Sequence, residues 1–395
     1  MQTVLPVVLH GSTCWDDERL PVDEFEHRLR HVRLEMIRLG MDGLVIYGDR
    51  VDYSLLTYLT HYIPKHSSAI LLVPVVGEPT MIAKVAGTRD IPSIRQLTWL
   101  ADLRTANNIK KDVQEFYENI SAGGKAVQIG AVGLGRMKQP MYQDVMAGLD
   151  TETVPSYDSE FEHLLCQKRP REVAVMREAA SILGSSVASM KEAMSRGCGV
   201  VISVLEAERT ARNLGAQDVR ILYSLDRGQT FEPFITTSEV RNDPLVTYFA
   251  VEFRGYWAEG MVSLTQNERP IDKTARQLLA FLEKSLVPGV SIPDIVGKVQ
   301  TMVAPYHLHR LVQGGFGHAI GLSVEEQPYL RGTAGLYVPD SAGDSIIEKN
   351  QVYSIYIGLT DGQSENSLMS RMVLVQEHQN EILWSEHLPV GGSTH

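Results

Sequence analysis

The chain is poor in cysteine, carries no excess of positive charge and contains no long apolar run. Its three cysteines, Cys14, Cys166 and Cys198, form no CxxC pair. An odd, sparse set of this kind predicts free thiols in a reducing cytoplasm rather than a disulfide framework, and its spacing gives no support to a catalytic Cys. Lys and Arg number 37 against 48 Asp and Glu, for a formal net charge of −11. Phosphate neutralisation needs clustered cations, so nucleic acid is not an expected partner. No stretch of about 18 apolar residues occurs, which argues against a membrane span. Met1 to Pro21 includes Asp16, Asp17 and Glu18 and lacks a basic start followed by an apolar core, so no secretory signal is expected. A cytoplasmic protein is the reading these absences leave. No repeat and no low-complexity tract is visible.

What is present is ordinary globular material. Hydrophobic residues make up 44% of 395 residues, enough for a large core and roughly two domains. Phe25, Leu29, Val32, Met36 and Leu39 recur at steps of three and four, one face of an amphipathic helix that Gly40 ends. Strands are expected at 43–47, 69–75, 80–83 and 126–132, with a turn at Gly77-Glu78-Pro79. Alternation of helix and strand implies an α/β unit. A boundary is placed near residue 160, giving domains 1–160 and 161–395. Pro170 then opens a long helix, with Glu172 in the first turn where an acidic group complements the helix dipole. Helices are expected at about 170–196, 201–214, 272–286 and 292–304. Strands are expected at about 244–253, 256–264, 351–359 and 370–376.

Two stretches carry the chemistry. The first is Gly315-Phe316-Gly317-His318-Ala319-Ile320-Gly321, followed by Glu325-Glu326-Gln327-Pro328. Its glycines allow close backbone approach around a histidine. The second is Gly255-Tyr256-Trp257-Ala258-Glu259, which puts a carboxylate on a strand whose alternate residues face one side. Together with Cys166 to Val173, these stretches resemble the creatinase/prolidase/methionine aminopeptidase family. The resemblance implies an α+β fold: a C-terminal pita-bread domain preceded by a creatinase-like N-terminal α/β domain, with the molecule a homodimer.

Most members of that family hold two metal ions with two Asp, one His and two Glu. On this chain the resemblance places those positions near Glu252, at Glu259 and His318, and at Tyr356 and Ser370, beside Arg371. Glu325 stands where the family has a second, catalytic His. Two divalent ions roughly 4 Å apart need several bridging carboxylates. Replacing two of them with Tyr and Ser therefore predicts no dinuclear metal site and no cofactor, although a single ion on Glu252, Glu259 and His318 stays conceivable.

Creatinase is a metal-free relative that cleaves a C–N bond, but its His before Asn-Pro has no counterpart in Gln229-Thr230-Phe231-Glu232-Pro233. The leading expectation is a metal-independent hydrolase of a C–N bond in a small anionic metabolite. Glu232, Glu259 or His318 would activate water, and Glu325 or Tyr356 would protonate the leaving nitrogen. Arg371, Lys65, Tyr356 and Phe231 would bind substrate, with Lys65 supplied across the dimer. Glu326 is expected to bond backbone at the turn. The rivals are an Xaa-Pro peptidase with a divergent or mononuclear site, a binding module without catalysis, and a lyase.

Overall fold

The computed structural model describes residue 9 and residues 11–85, 87–122, 126–226, 228–232, 245–265, 267–309, 312, 315–331, 346–362 and 365–386. The chain divides into two compact units, Met1–Leu165 and Cys166–His395.

The first unit is built on five strands: β1 (Gly43–Asp49), β2 (Ser68–Pro74), β3 (Thr80–Ala83), β4 (Asp102–Thr105) and β5 (Ile129–Val132). They lie in the order β4-β3-β2-β1-β5. β1 runs antiparallel to β2 and parallel to β5. Val45, Ile70, Leu72 and Ile82 bury one face of the sheet against Val113, Phe116 and Val145. The amphipathic helix spans Val22–Arg38 and buries Phe25, Leu29, Val32 and Met36, as the periodicity predicts. It also buries Arg28, which pairs with Glu24 at 3.0 Å and donates to the Tyr58 carbonyl. That pairing is what makes a guanidinium tolerable in a core. β5 is shorter than the expected 126–132 because ladder pairing with β1 begins at Ile129. β4, with Asp102 and Arg104, has no apolar alternation and was not foreseen from the pattern.

In the second unit, helices cover Pro170–Ser195, Val200–Asn213, Pro270–Ser285 and Ile292–Val303, close to expectation. Glu172 caps the first of these by accepting the Arg169 N–H at 3.0 Å, and it also accepts the Tyr256 hydroxyl. A three-stranded antiparallel sheet runs β6 (Asp218–Ser224), β7 (Leu245–Phe253), β8 (Tyr256–Leu264). A larger sheet runs in the order β11-β10-β12-β13-β14, with β9 (His307–Leu308) pairing β12. Its strands are β10 (Gly317–Ala319), β11 (Glu326–Tyr329), β12 (Val352–Thr360), β13 (Asn366–Leu374) and β14 (Glu381–Ser385).

The alternation of β12 decides which face is chemical. Tyr353, Ile355, Ile357 and Leu359 pack against Leu278, Leu282, Ile295 and Val299 of the helices. Ser354 and Tyr356 therefore point to the other face, toward the three-stranded sheet. The two sheets are tied there. The Trp257 N–H donates to the Gly321 carbonyl at 2.7 Å, the Met261 N–H to the Ser370 hydroxyl at 2.6 Å, and the Ser263 hydroxyl to the Leu368 carbonyl at 3.1 Å. Among the described residues, no helix is long and apolar enough to cross a membrane.

Candidate active site between two sheets

Pairing register builds the site. In β7 and β8, Tyr248 lies opposite Met261 and Ala250 opposite Glu259, so Tyr248 and Glu259 share a face with a small residue between them. The Tyr248 hydroxyl donates to Glu259 Oε2 at 2.8 Å. On the facing sheet, His318 sits opposite Ser354, and Tyr356 opposite Ser370. His318 Nε2 is 2.9 Å from Glu259 Oε1, and its Nδ1 donates to the Ala319 carbonyl at 3.0 Å. Both side chains are about 95% buried. The imidazole thus has an acceptor at each nitrogen, the arrangement that suits the doubly protonated ring.

The electrostatics agree with the geometry. Burial alone would raise the Glu259 carboxyl, but hydrogen bonds from His318 and Tyr248, the His318 charge and the nearby Ser354 hydroxyl hold it below its ordinary value of 4.5. Burial alone would lower His318, yet the hydrogen bond to Glu259 and its charge lift it above 6.5. Both directions describe one buried ion pair. The Ser354 hydroxyl is close enough to contribute to this balance but makes no well-aligned hydrogen bond among the described residues. Tyr356 lies beside His318, with ring centroids 6.1 Å apart. Burial pushes its phenol up to about 12, so it is a proton donor at neutral pH.

The motif glycines have a steric purpose. A Cβ on Gly317 would stand 2.5 Å from the Ser354 carbonyl oxygen, and one on Gly321 2.5 Å from Lys168 Nζ. That lysine forms a buried ion pair with Glu326 Oε2 at 2.5 Å. Glu326 also accepts the N–H groups of Leu322 and Ser323. Burial alone would lower the Lys168 ammonium, and the charges of Glu326 and Glu172 instead raise it. Glu326 is therefore the turn-bonding residue expected of it, and Lys168 is its counter-ion.

The other predicted site residues are distributed unevenly. Phe231 packs with Met261 and Tyr356 around Val246, Val312 and Leu368, at the edge of the site. Glu232 is half-buried, its backbone paired with Tyr223. No hydrogen bond among the described residues joins its carboxylate to Glu259 or His318. Glu325 is exposed and stands 3.6 Å from Arg331. Arg371 follows Ser370 on β13, so it projects to the helical face, where it pairs with Glu283. It does not join Glu259 and His318. Lys65 sits in a turn of the first unit. Glu252 is buried on β7 opposite Trp257, four residues along from Tyr248, which occupies the position beside Glu259. Tyr248, Ser354 and Arg331 were not singled out from sequence. Ser354 has the parity of Tyr356, a signal that was available.

These residues do not suit a pair of bridged ions. Glu259 and His318 neutralise each other, the Tyr248 and Tyr356 phenols are held protonated by burial, and Ser370 is engaged by backbone. Among the described residues, no group of three His, Cys, Asp or Glu side chains could hold a metal.

The family model for metallopeptidase family M24 matches residues 174–377. The chain belongs to this family. Membership makes it a hydrolase acting on C–N bonds, and its second unit is a pita-bread domain. The fold extends over nearly the whole chain in solved structures. The prolidase from Pyrococcus horikoshii OT3 superposes with a TM-score of 0.69 at 12% identity, covering 92% of this chain and 100% of that one. X-Pro aminopeptidase from Thermotoga maritima MSB8 gives 0.69 at 16%, covering 90% and 98%. The His361Ala form of Escherichia coli aminopeptidase P gives 0.66 at 15%, covering 91% and 94%. At such identities the likeness is one of fold. No curated protein matches the chain by sequence.

Proposed function

We propose that this member of the M24 family hydrolyses the C–N bond of a small peptide or peptide-like amide, with the Glu259–His318 ion pair handling protons in place of paired metal ions. The observation that carries this reading is the 2.9 Å contact between His318 Nε2 and Glu259 Oε1, with Tyr248 on the other carboxylate oxygen. Structural neighbours called prolidase and X-Pro aminopeptidase favour a peptide bond over the non-peptide metabolite that a creatinase-like resemblance suggests. The donor set favours side-chain chemistry over a bridged metal pair.

In this scheme Glu259, ionised, still has lone pairs beyond those used by Tyr248 and His318. One of them accepts a proton from water as the water oxygen attacks the amide carbon. Tyr356, protonated, donates to the nitrogen as the C–N bond breaks. His318 keeps Glu259 ionised, and the proton gained by Glu259 returns through solvent to Tyr356. Positioned acid–base groups of this kind contribute about 10²- to 10⁴-fold each.

The test is metal dependence. Protein purified without chelators is assayed on Xaa-Pro dipeptides with EDTA and with added Mn, Co or Zn, and its bound metal is measured by mass spectrometry. Cleavage indifferent to EDTA, with metal well below one ion per chain, is the expected result. Two ions per chain and activity restored only by metal would overturn the side-chain mechanism. Failure to cleave any Xaa-Pro dipeptide would return the substrate to the non-peptide class.

A further inference from the structure

Two imidazoles of the first unit have no part in the scheme above. His27 and His31 stand four residues apart on the Val22–Arg38 helix, and their ring centroids are 4.6 Å apart at an interplanar angle of 64°. Residues at that spacing are neighbours on one face of a helix. His31 is exposed and His27 half-buried, whereas Phe25, Leu29, Val32 and Met36 fix the other face in the core. Arg28 turns inward to Glu24 and the Tyr58 carbonyl. The pair is thus carried on a rigid element, and little order has to be gained when a ligand draws the rings together. Imidazole is a ligand for Zn, Ni and Cu. Two imidazoles that reach one ion at about 2.0–2.1 Å, at right or tetrahedral angles, hold their ring centroids roughly 4.5–5 Å apart, so the observed spacing already suits a shared ion. Asp23, exposed and one turn before His27, adds a negative charge that favours a cation. Glu35, one turn after His31, has both oxygens engaged by Arg38.

We propose that His27 and His31 chelate one divalent transition-metal ion of the imidazole-preferring class, Zn, Ni or Cu, at the surface of the first unit. Among the described residues, no third His, Cys, Asp or Glu side chain completes the set, so water fills the remaining positions. Two imidazoles are half of the four ligands of a structural zinc site, which puts the dissociation constant on the order of 1–100 µM. An ion held that weakly is lost on purification and returns when metal is added to an assay. It would act on the first unit, whereas Glu259 and His318 belong to the second. Metal bound to the chain at one ion per molecule is therefore no sign of metal at the Glu259–His318 pair.

Calorimetry on the untagged full chain tests the chelate, with zinc, nickel and magnesium chlorides as probes. One Zn or Ni ion per chain in the micromolar range, with no Mg bound at millimolar concentration, is the expected result. His27→Gln and His31→Gln each weaken that ion about tenfold or more, and Glu259→Gln and His318→Gln leave it unchanged. Circular dichroism confirms that each variant is folded. In NMR spectra of the unaltered protein, Ni broadens the ring signals of His27 and His31 before those of the other histidines. No Zn or Ni binding in the micromolar range, binding that survives both helix substitutions, or a single ion lost with Glu259 or His318 would each overturn the chelate. A second ion, lost only in Glu259→Gln, would leave the chelate standing and count against the side-chain mechanism.

Discussion

Glu259→Gln is expected to lower kcat/KM on the best Xaa-Pro dipeptide by about 10²- to 10⁴-fold, the range for removing a positioned base, while leaving the fold intact. The amide is isosteric and still accepts the Tyr248 hydroxyl, so the cavity should not collapse. What disappears is the negative charge that both activates water and holds His318 protonated. His318→Gln should also impair turnover, and the double variant should lose little more than Glu259→Gln alone, because groups that act as a unit are not additive. Steady-state kinetics on the three proteins checks this. A Glu259→Gln enzyme within a few-fold of wild type would remove Glu259 from the chemistry.

Lys168→Met is expected to cost about 3–5 kcal/mol, the usual penalty for stranding one member of a buried ion pair. Glu326 is 8% exposed and would keep only the Leu322 and Ser323 N–H groups. These lie in the turn that follows His318, so the site loosens along with the fold. For a unit of this size the melting temperature should fall by on the order of 10 °C. Pairing Lys168→Met with Glu326→Gln should recover part of the loss, since neither charge is then stranded. Thermal and urea unfolding measure both. A loss under about 1 kcal/mol for Lys168→Met would mean that water reaches Glu326.

The centre of this arrangement was legible in the sequence. The glycine-flanked histidine and the Gly-Tyr-x-x-Glu run both pointed into the cleft, and the structure joins His318 to Glu259. The neighbour of Glu259 was not legible. Glu252 and Tyr248 have the same parity on β7 and flank Ala250, which pairs with Glu259, so neither alternation nor register chooses between them; the hydroxyl of Tyr248 donating to Glu259 does. Arg371 is a different kind of miss. It follows Ser370 directly, and a strand cannot turn consecutive side chains to one face, so a cleft-facing Ser370 required Arg371 to face the helices. Arg331 lies outside any periodic element. Its place over Gly315 and the Tyr329 ring is a tertiary fact.

The pair also sets a pH window. Glu259 is held below 4.5, so its contribution to stability is present above its unfolded value and is lost as pH falls through the folded one. His318 is held above 6.5, so its contribution is complete below 6.5 and is lost as pH rises through the folded value. The pair's stabilisation is therefore complete between about pH 4.5 and 6.5, and the pair itself breaks only as pH passes the folded values beyond those limits. The most direct measurement of the central claim is an NMR titration of the His318 ring in wild type and in Glu259→Gln. The account predicts a midpoint above 6.5 in wild type that drops when Glu259 is neutralised. A midpoint at or below 6.5 that the substitution leaves unmoved would contradict it.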